Sequence, residues 1–306
     1  MNSHSKIIFA ITIVSIIVVA LVATIYFLNS AQSKLSILPS GNPPESQLKI
    51  VGDFEAEKTL ATKDLVQIPL KNVTITIKGE TASYVGVSLL DLLNKTDASW
   101  GAGFINVIAA DGYNKTLNTY QAYNSTQYLG SEIILAFAKN GNWIVDPNEG
   151  PLKLIAPGLA SAYNVKRVIE INLQPWTINV TGLVNDPIVL NGSNFSGFET
   201  KTVQATFAPG GEPQRTSNWT GISLWSVLQA ANVSPNASKV TVSAIDGYSR
   251  EYTIAQVKDL DILIGYKENG AFLSPSNGQP YRLVVPVEDY KWGQYWVRWI
   301  SQIIVA

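Results

Sequence analysis

Two Asp-Gly-Tyr elements carry the residue types in this chain most suited to site chemistry: Asp111-Gly112-Tyr113 and Asp246-Gly247-Tyr248. Each joins a carboxylate, able to hold a cation or move a proton, to a phenol that can donate a hydrogen bond. The same residues also make a turn unaided. Asp bonds the turn amides, glycine adopts positive φ, and the tyrosine caps a core. The turn is the simpler expectation, with Asp246 and Tyr248 kept as candidate ligand contacts. Firmer conclusions come from what is missing. The chain has no cysteine, and its single histidine and methionine are His4 and Met1. Disulfides, cysteine nucleophiles, Ser-His-Asp triads, His/Cys zinc sites and haem or iron–sulfur ligation are excluded by composition. A net charge of −1 and a pI of about 5.9 supply no basic face, so nucleic acid is not an expected partner. Asp146-Pro147-Asn148-Glu149-Gly150 has calcium-loop residue types without the ligand spacing, and no metal is assigned.

The elements that must position these residues occur twice. Ahead of them, Ile7 to Leu28 is almost continuously apolar and long enough to span a bilayer of about 30 Å. Lys6 precedes it, which puts the N-terminus inside. A cleaved signal peptide is the alternative. Either way the remainder lies outside the cytoplasm, and a retained anchor makes this a single-pass membrane protein. Residues 29–47, rich in Ser, Pro, Gly and Asn, predict a flexible linker. Two units follow, residues 48–175 and 176–306. Tyr84-Val85-Gly86-Val87-Ser88-Leu89 aligns with Trp219-Thr220-Gly221-Ile222-Ser223-Leu224, where Ser88 and Ser223 can N-cap short helices. Lys139-Asn140-Gly141 aligns with Glu268-Asn269-Gly270, and Gly150-Pro151-Leu152-Lys153 with Gln279-Pro280-Tyr281-Arg282. So many landmarks in one order indicate duplication. Short Val/Ile/Thr-rich runs broken by Gly, Pro and Asn predict α+β domains of mostly β content. Alternation along the closing strand predicts Tyr295, Val297 and Trp299 on one face, with Trp296, Arg298 and Ile300 on the other. Core packing is the plain account of this aromatic cluster, and a sugar- or peptide-binding platform the sharper one.

The order W-x-G-[IV]-x-L, D-G-Y, N-G, G-x-P-x-R-L-V-V-P and an aromatic-basic closing strand resembles the molybdopterin-binding domain of the sulfite oxidase family. The second unit matches best and the first resembles a diverged copy. The resemblance implies that the pterin is gripped through Asn277, Arg282 and Arg298, with Asn148, Lys153 and Lys166 as their first-unit counterparts. Arg282 offers a planar fork for phosphate or carboxylate, Lys153 only a point charge, which places an anion site in the second unit. Buried arginines bonded to carbonyls are the structural alternative. The resemblance also implies a molybdenum-ligating cysteine on the strand before W-x-G. That stretch is Thr202–Phe207, with Thr206 the nearest candidate, and a hydroxyl is a poor soft-metal ligand.

The expected function is a non-catalytic binding or surface module, with a pocket of Asp246, Tyr248, Asn277, Arg282 and Arg298. No resident cofactor is expected, although the resemblance implies molybdopterin. The alternatives are a molybdopterin-dependent oxidoreductase with non-cysteine ligation, and a structural glycosylated surface protein. Expected partners are the membrane and a small anionic ligand, surface glycan or protein. Ten N-x-[ST] sequons lie beyond the apolar segment, where composition alone gives about 3.5, which points to an extracellular glycoprotein.

Overall fold

The computed structural model describes residues 37–52, 57–96, 101–211 and 213–306. The Ile7–Leu28 segment lies outside the described residues, and among those described no helix is long and apolar enough to cross a membrane.

Among the described residues each unit has ten strands. Those of the first are β1 (Leu48–Gly52), β2 (Lys58–Leu60), β3 (Leu70–Ile77), β4 (Glu80–Ser88), β5 (Ala102–Ala109), β6 (Asn114–Asn118), β7 (Ile134–Lys139), β8 (Asn142–Trp143), β9 (Lys153–Ile155) and β10 (Val168–Pro175). Those of the second are β11 (Ile178–Gly182), β12 (Ile188–Leu190), β13 (Thr200–Phe207), β14 (Arg215–Ser223), β15 (Lys239–Ala244), β16 (Ser249–Thr253), β17 (Leu263–Glu268), β18 (Ala271–Phe272), β19 (Arg282–Val284) and β20 (Ile300–Val305). One sheet runs β2-β1-β10-β5-β6 and its counterpart β12-β11-β20-β15-β16. The other runs β3-β4-β7-β8 with β9 on β7, and its counterpart β13-β14-β17-β18 with β19 on β17. Each strand of the second unit thus has its twin ten places earlier. The helices are short, as the sequence predicts for a mostly β chain of α+β type.

The Gly of the W-x-G landmark has a steric cause. At Gly86 and at Gly221 the register with β7 or β17 shifts by one residue. A Cβ there would sit 2.2 Å from the Leu135 carbonyl oxygen, or 2.4 Å from that of Ile264. The two strands approach so closely that only glycine fits. The helix after this bulge starts as expected at Ser223, whose Oγ accepts from the Ser226 amide at 3.3 Å. Ser88 starts the equivalent helix without a side-chain cap.

Each unit has its own apolar core. Trp176, just past β10, is fully buried in the second core, and its Nε1 donates to the Ile300 carbonyl at 2.6 Å. Its backbone amide donates to Gly101 O of the first unit at 2.7 Å.

Two expectations need correction. Residues 37–47 are docked rather than free: Leu38 packs on the first core, Trp143 Nε1 donates to Ser40 O at 3.2 Å, and Ser46 and Thr62 hydroxyls share a 2.6 Å bond. The closing strand does not alternate as drawn, because Trp299 has φ of +52° and β20 begins only at Ile300. The left-handed residue rotates the chain, so Trp296, Val297, Trp299 and Ile300 are all buried while Arg298 is exposed.

Candidate functional site

Both Asp-Gly-Tyr elements form the expected turn. Asp246 Oδ1 accepts from the Tyr248 amide at 3.0 Å, and Asp111 Oδ1 from Tyr113 at 3.1 Å. Gly247 and Gly112 sit at φ of +89° and +84°. Tyr248 donates its hydroxyl proton to Gln294 O at 2.5 Å, and Tyr113 to Ala162 O at 2.9 Å.

The five residues expected in one pocket divide into two groups. Asp246, Tyr248 and Arg298 line a surface cavity of about 370 Å³ with Trp296 and Trp299. Arg298 lies over the Trp299 ring and donates to Ser276 O at 3.0 Å. Asn277 and Arg282 belong instead to a buried network. Arg282 is on β19 at 0% exposure, and its Nη1 donates to Asn277 Oδ1 at 3.1 Å. Arg215 donates to the same oxygen at 2.5 Å and to Glu268 Oε1 at 2.9 Å, while the Asn277 amide donates to Glu268 Oε2. Three rings surround the Arg282 guanidinium: Phe207 at 4.2 Å, Trp219 at 5.1 Å and Trp296 at 5.2 Å. Such contacts stabilise a desolvated cation electrostatically. Burial, and then the neighbouring Arg298 and Arg215, push the Arg282 pKa down to about 9, with Glu268 acting in the opposite direction. Its Nε and Nη2 have no hydrogen-bond partner among the described residues.

Sequence reasoning missed Arg215 and Glu268. Both were legible from strand geometry. Arg215 lies four residues before Trp219 on β14, hence on the same face, and Glu268 is the cross-strand partner of Trp219.

Thr206 does not face Arg282. On β13 the buried face carries Ala205 and Phe207, while the Thr206 hydroxyl shares a 2.9 Å bond with Thr216. Side chains alternate along a strand, so a thiolate facing Arg282 would have to take the place of Ala205 or Phe207. Phe207 lies tilted at 4.9 Å against Trp296, and the Ala205 methyl beside it offers no donor. A molybdenum centre therefore finds no soft donor here, and the residues present do not fit it. The unpaired donors of Arg282 suit an anion in type, but aromatic rings enclose them.

The first unit is built differently at the same positions. Strand pairing puts Ile77 where Phe207 stands and Tyr84 where Trp219 stands. The bonds from Leu154 N to Val165 O and from Leu283 N to Val297 O equate Asn164 with Trp296. With these smaller residues a cavity of about 640 Å³ remains, lined by Ile77, Tyr84 and Asn164 together with Lys78, Lys139, Lys153, Lys166 and the carboxylates of Glu80 and Glu149. Lys153 is only 4% exposed, paired with Glu149 and within 3.1 Å of the Tyr84 hydroxyl. Lys139 donates to Glu149 Oε2 at 3.0 Å. Burial alone would raise the Glu149 pKa, but Lys153 and Lys139 hold it below its ordinary range. The Asp146 stretch forms a turn closed on Asn148, and no cluster of metal-ligating side chains occurs among the described residues.

The chain is similar in sequence to known proteins. A nitrate reductase of Fusarium oxysporum is 22% identical over 170 residues, covering 47% of this chain and 18% of the reductase. The enzyme of Hordeum vulgare is 26% identical over 163 residues, 43% of this chain and 18% of its own length. The chain therefore spans under a fifth of these relatives. Among solved structures, the sulfane dehydrogenase SoxCD of Paracoccus pantotrophus aligns with a TM-score of 0.39 and 23% identity, over 42% of this chain and 38% of that one. The model of the oxidoreductase molybdopterin-binding domain matches twice, at residues 36–175 and 168–306, and the chain belongs to that family in two tandem copies.

Proposed function

We propose that this chain is a membrane-anchored, extracytoplasmic binding protein whose two molybdopterin-type domains no longer carry out oxo-molybdenum chemistry. The closed aromatic cage of Phe207, Trp219 and Trp296 around Arg282 carries this reading. It occupies the face from which a ligand would reach the second unit's basic cluster. A small anion is held instead in the first unit, where Lys78 and Lys166, with the Glu149-paired Lys139 and Lys153 and with Glu80, line the open cavity. This reverses the expectation drawn from Arg282. An exterior location is supported by the apolar Ile7–Leu28 segment and by Asn72, Asn94, Asn114, Asn179, Asn218, Asn232 and Asn236, sequon residues that are all exposed. Asn124 and Asn194, also in sequons, are half-buried with their amides donated to Tyr120 O and Val189 O.

The two unpaired Arg282 donors favour a second reading, an oxidoreductase that keeps the pterin and binds the metal without cysteine. Metal and pterin analysis of the full chain purified from its native host separates the two. The binding reading expects neither molybdenum nor tungsten. Near-stoichiometric metal with pterin would overturn it.

A further inference from the structure

Across the seam between the units, the helix Thr119–Tyr123 faces the Asp246–Tyr248 turn over a cavity of about 610 Å³. Tyr120, Tyr248, Leu129 and Leu159 give it apolar walls, and Gln121, Asn124 and Asp246 are its polar groups. Among the described residues no lysine or arginine lines it. The volume suits a small organic molecule.

Comparing the two turns shows why this carboxylate is available. In the first unit Arg167 Nη1 approaches the Asp111 carboxylate to 3.8 Å. Arg167 has φ of +53° and its carbonyl accepts from Ala110; Trp299 has φ of +52° and its carbonyl accepts from Ile245. Trp299 therefore occupies the position of Arg167. It brings no counter-charge, and packs edge-on against Tyr120 at 4.8 Å. Arg298, which shares the neighbouring cavity, is turned to Ser276 O and the Trp299 ring. Asp246 has no ion pair among the described residues. Tyr248 stays 42% exposed at the cavity.

We propose that this cleft binds a small organic cation, with its ammonium group against Asp246 and its alkyl groups among Tyr120, Tyr248, Leu129 and Leu159. A carboxylate with aromatic walls attracts a weakly hydrated cation, whereas an anion would meet an unneutralised negative charge. The site needs both units, because each contributes one wall. It stands whether or not either unit holds a pterin.

The test titrates the full chain with choline and with dimethylbutanol, its neutral isostere, following tryptophan fluorescence or saturation-transfer NMR. Choline is expected to bind saturably and the isostere about tenfold more weakly. Asp246→Asn retains an oxygen for the Tyr248 amide, so the turn is kept while the charge is lost. It should weaken choline about tenfold, and Asp111→Asn should leave binding unchanged. Equal binding of the isostere, wild-type affinity in folded Asp246→Asn, or no saturation by about 50 mM choline would each overturn the proposal. Phosphatidylcholine vesicles distinguish a lipid headgroup from a soluble cation. Vesicle binding that free choline cannot displace would also overturn it.

Discussion

The two units share a backbone plan and solve one packing problem in opposite ways. In the second, a fully buried arginine is enclosed by Phe207, Trp219 and Trp296. In the first, Ile77, Tyr84 and Asn164 stand at those places, and a buried lysine is neutralised by Glu149 beside an open cavity. The charges have also exchanged sites. Arg215 and Glu268 occupy the strand positions of Glu80 and Lys139. A duplicated fold therefore fixes where a cation is held, while its solvation is left to three side chains. This is why family membership does not transfer a site from one copy to the other.

The largest test of this contrast is Trp219→Ala. Removing a fully buried ring that also contacts Arg282 should cost about 3–5 kcal/mol in denaturant unfolding of the full chain. Tyr84→Ala, beside an existing cavity, should cost clearly less, and equal costs would erase the distinction. Next is Glu149→Gln, which strands Lys153 and should cost about 2–3 kcal/mol at neutral pH. Because the folded-state Glu149 pKa is depressed, its contribution is complete above the ordinary carboxylate value and is lost as pH falls through the depressed one. The variant should lack that acid-side loss of stability. Arg282→Met should change stability by no more than about 1 kcal/mol, since methionine fills the cage without a desolvated charge. The depressed Arg282 pKa means that the buried charge lowers stability at neutral pH, and that this cost begins to be relieved as pH rises above about 9 toward the ordinary arginine range. The difference between wild type and Arg282→Met should shift in that sense between neutral pH and about 10. A large loss in Arg282→Met would show that the cage depends on its cation. The smallest expected effect is Thr206→Ala, within about 0.5 kcal/mol, because its hydroxyl lies on the far face of β13.

Much of this was legible in the sequence, because duplication exposes constraints that a single copy hides. Gly86 and Gly221 recur at a strand contact too close for a Cβ, and Asp111 and Asp246 recur because each bonds the amide two residues on. The site was less legible. Asn277 and Arg282 were found by motif, but their network runs through Arg215 and Glu268, remote in sequence and joined only by strand register. Arg298 was grouped with Arg282 through their motif, yet the left-handed Trp299 beside it turns its side chain outward. Periodicity cannot reveal a single residue of inverted φ. The docking of Leu38 and Ser40 was hidden for a related reason: Ser- and Pro-rich composition reports solubility, not the presence of Trp143 to receive the segment.

The closure of the two units also has an order in time. The first unit closes its sheets using residues that precede Trp176. The indole bond of Trp176 to Ile300 spans 124 positions, about the same separation as the Lys49–Glu170 pairing that closes the first unit's sheet. Contacts of such separation form slowly, since the intervening chain must lose its freedom first. The first unit can assemble while the chain is still being delivered, and the second completes its core only after β20 arrives. Two copies of one architecture thus close over nearly equal spans, and their order along the chain is what separates them in time.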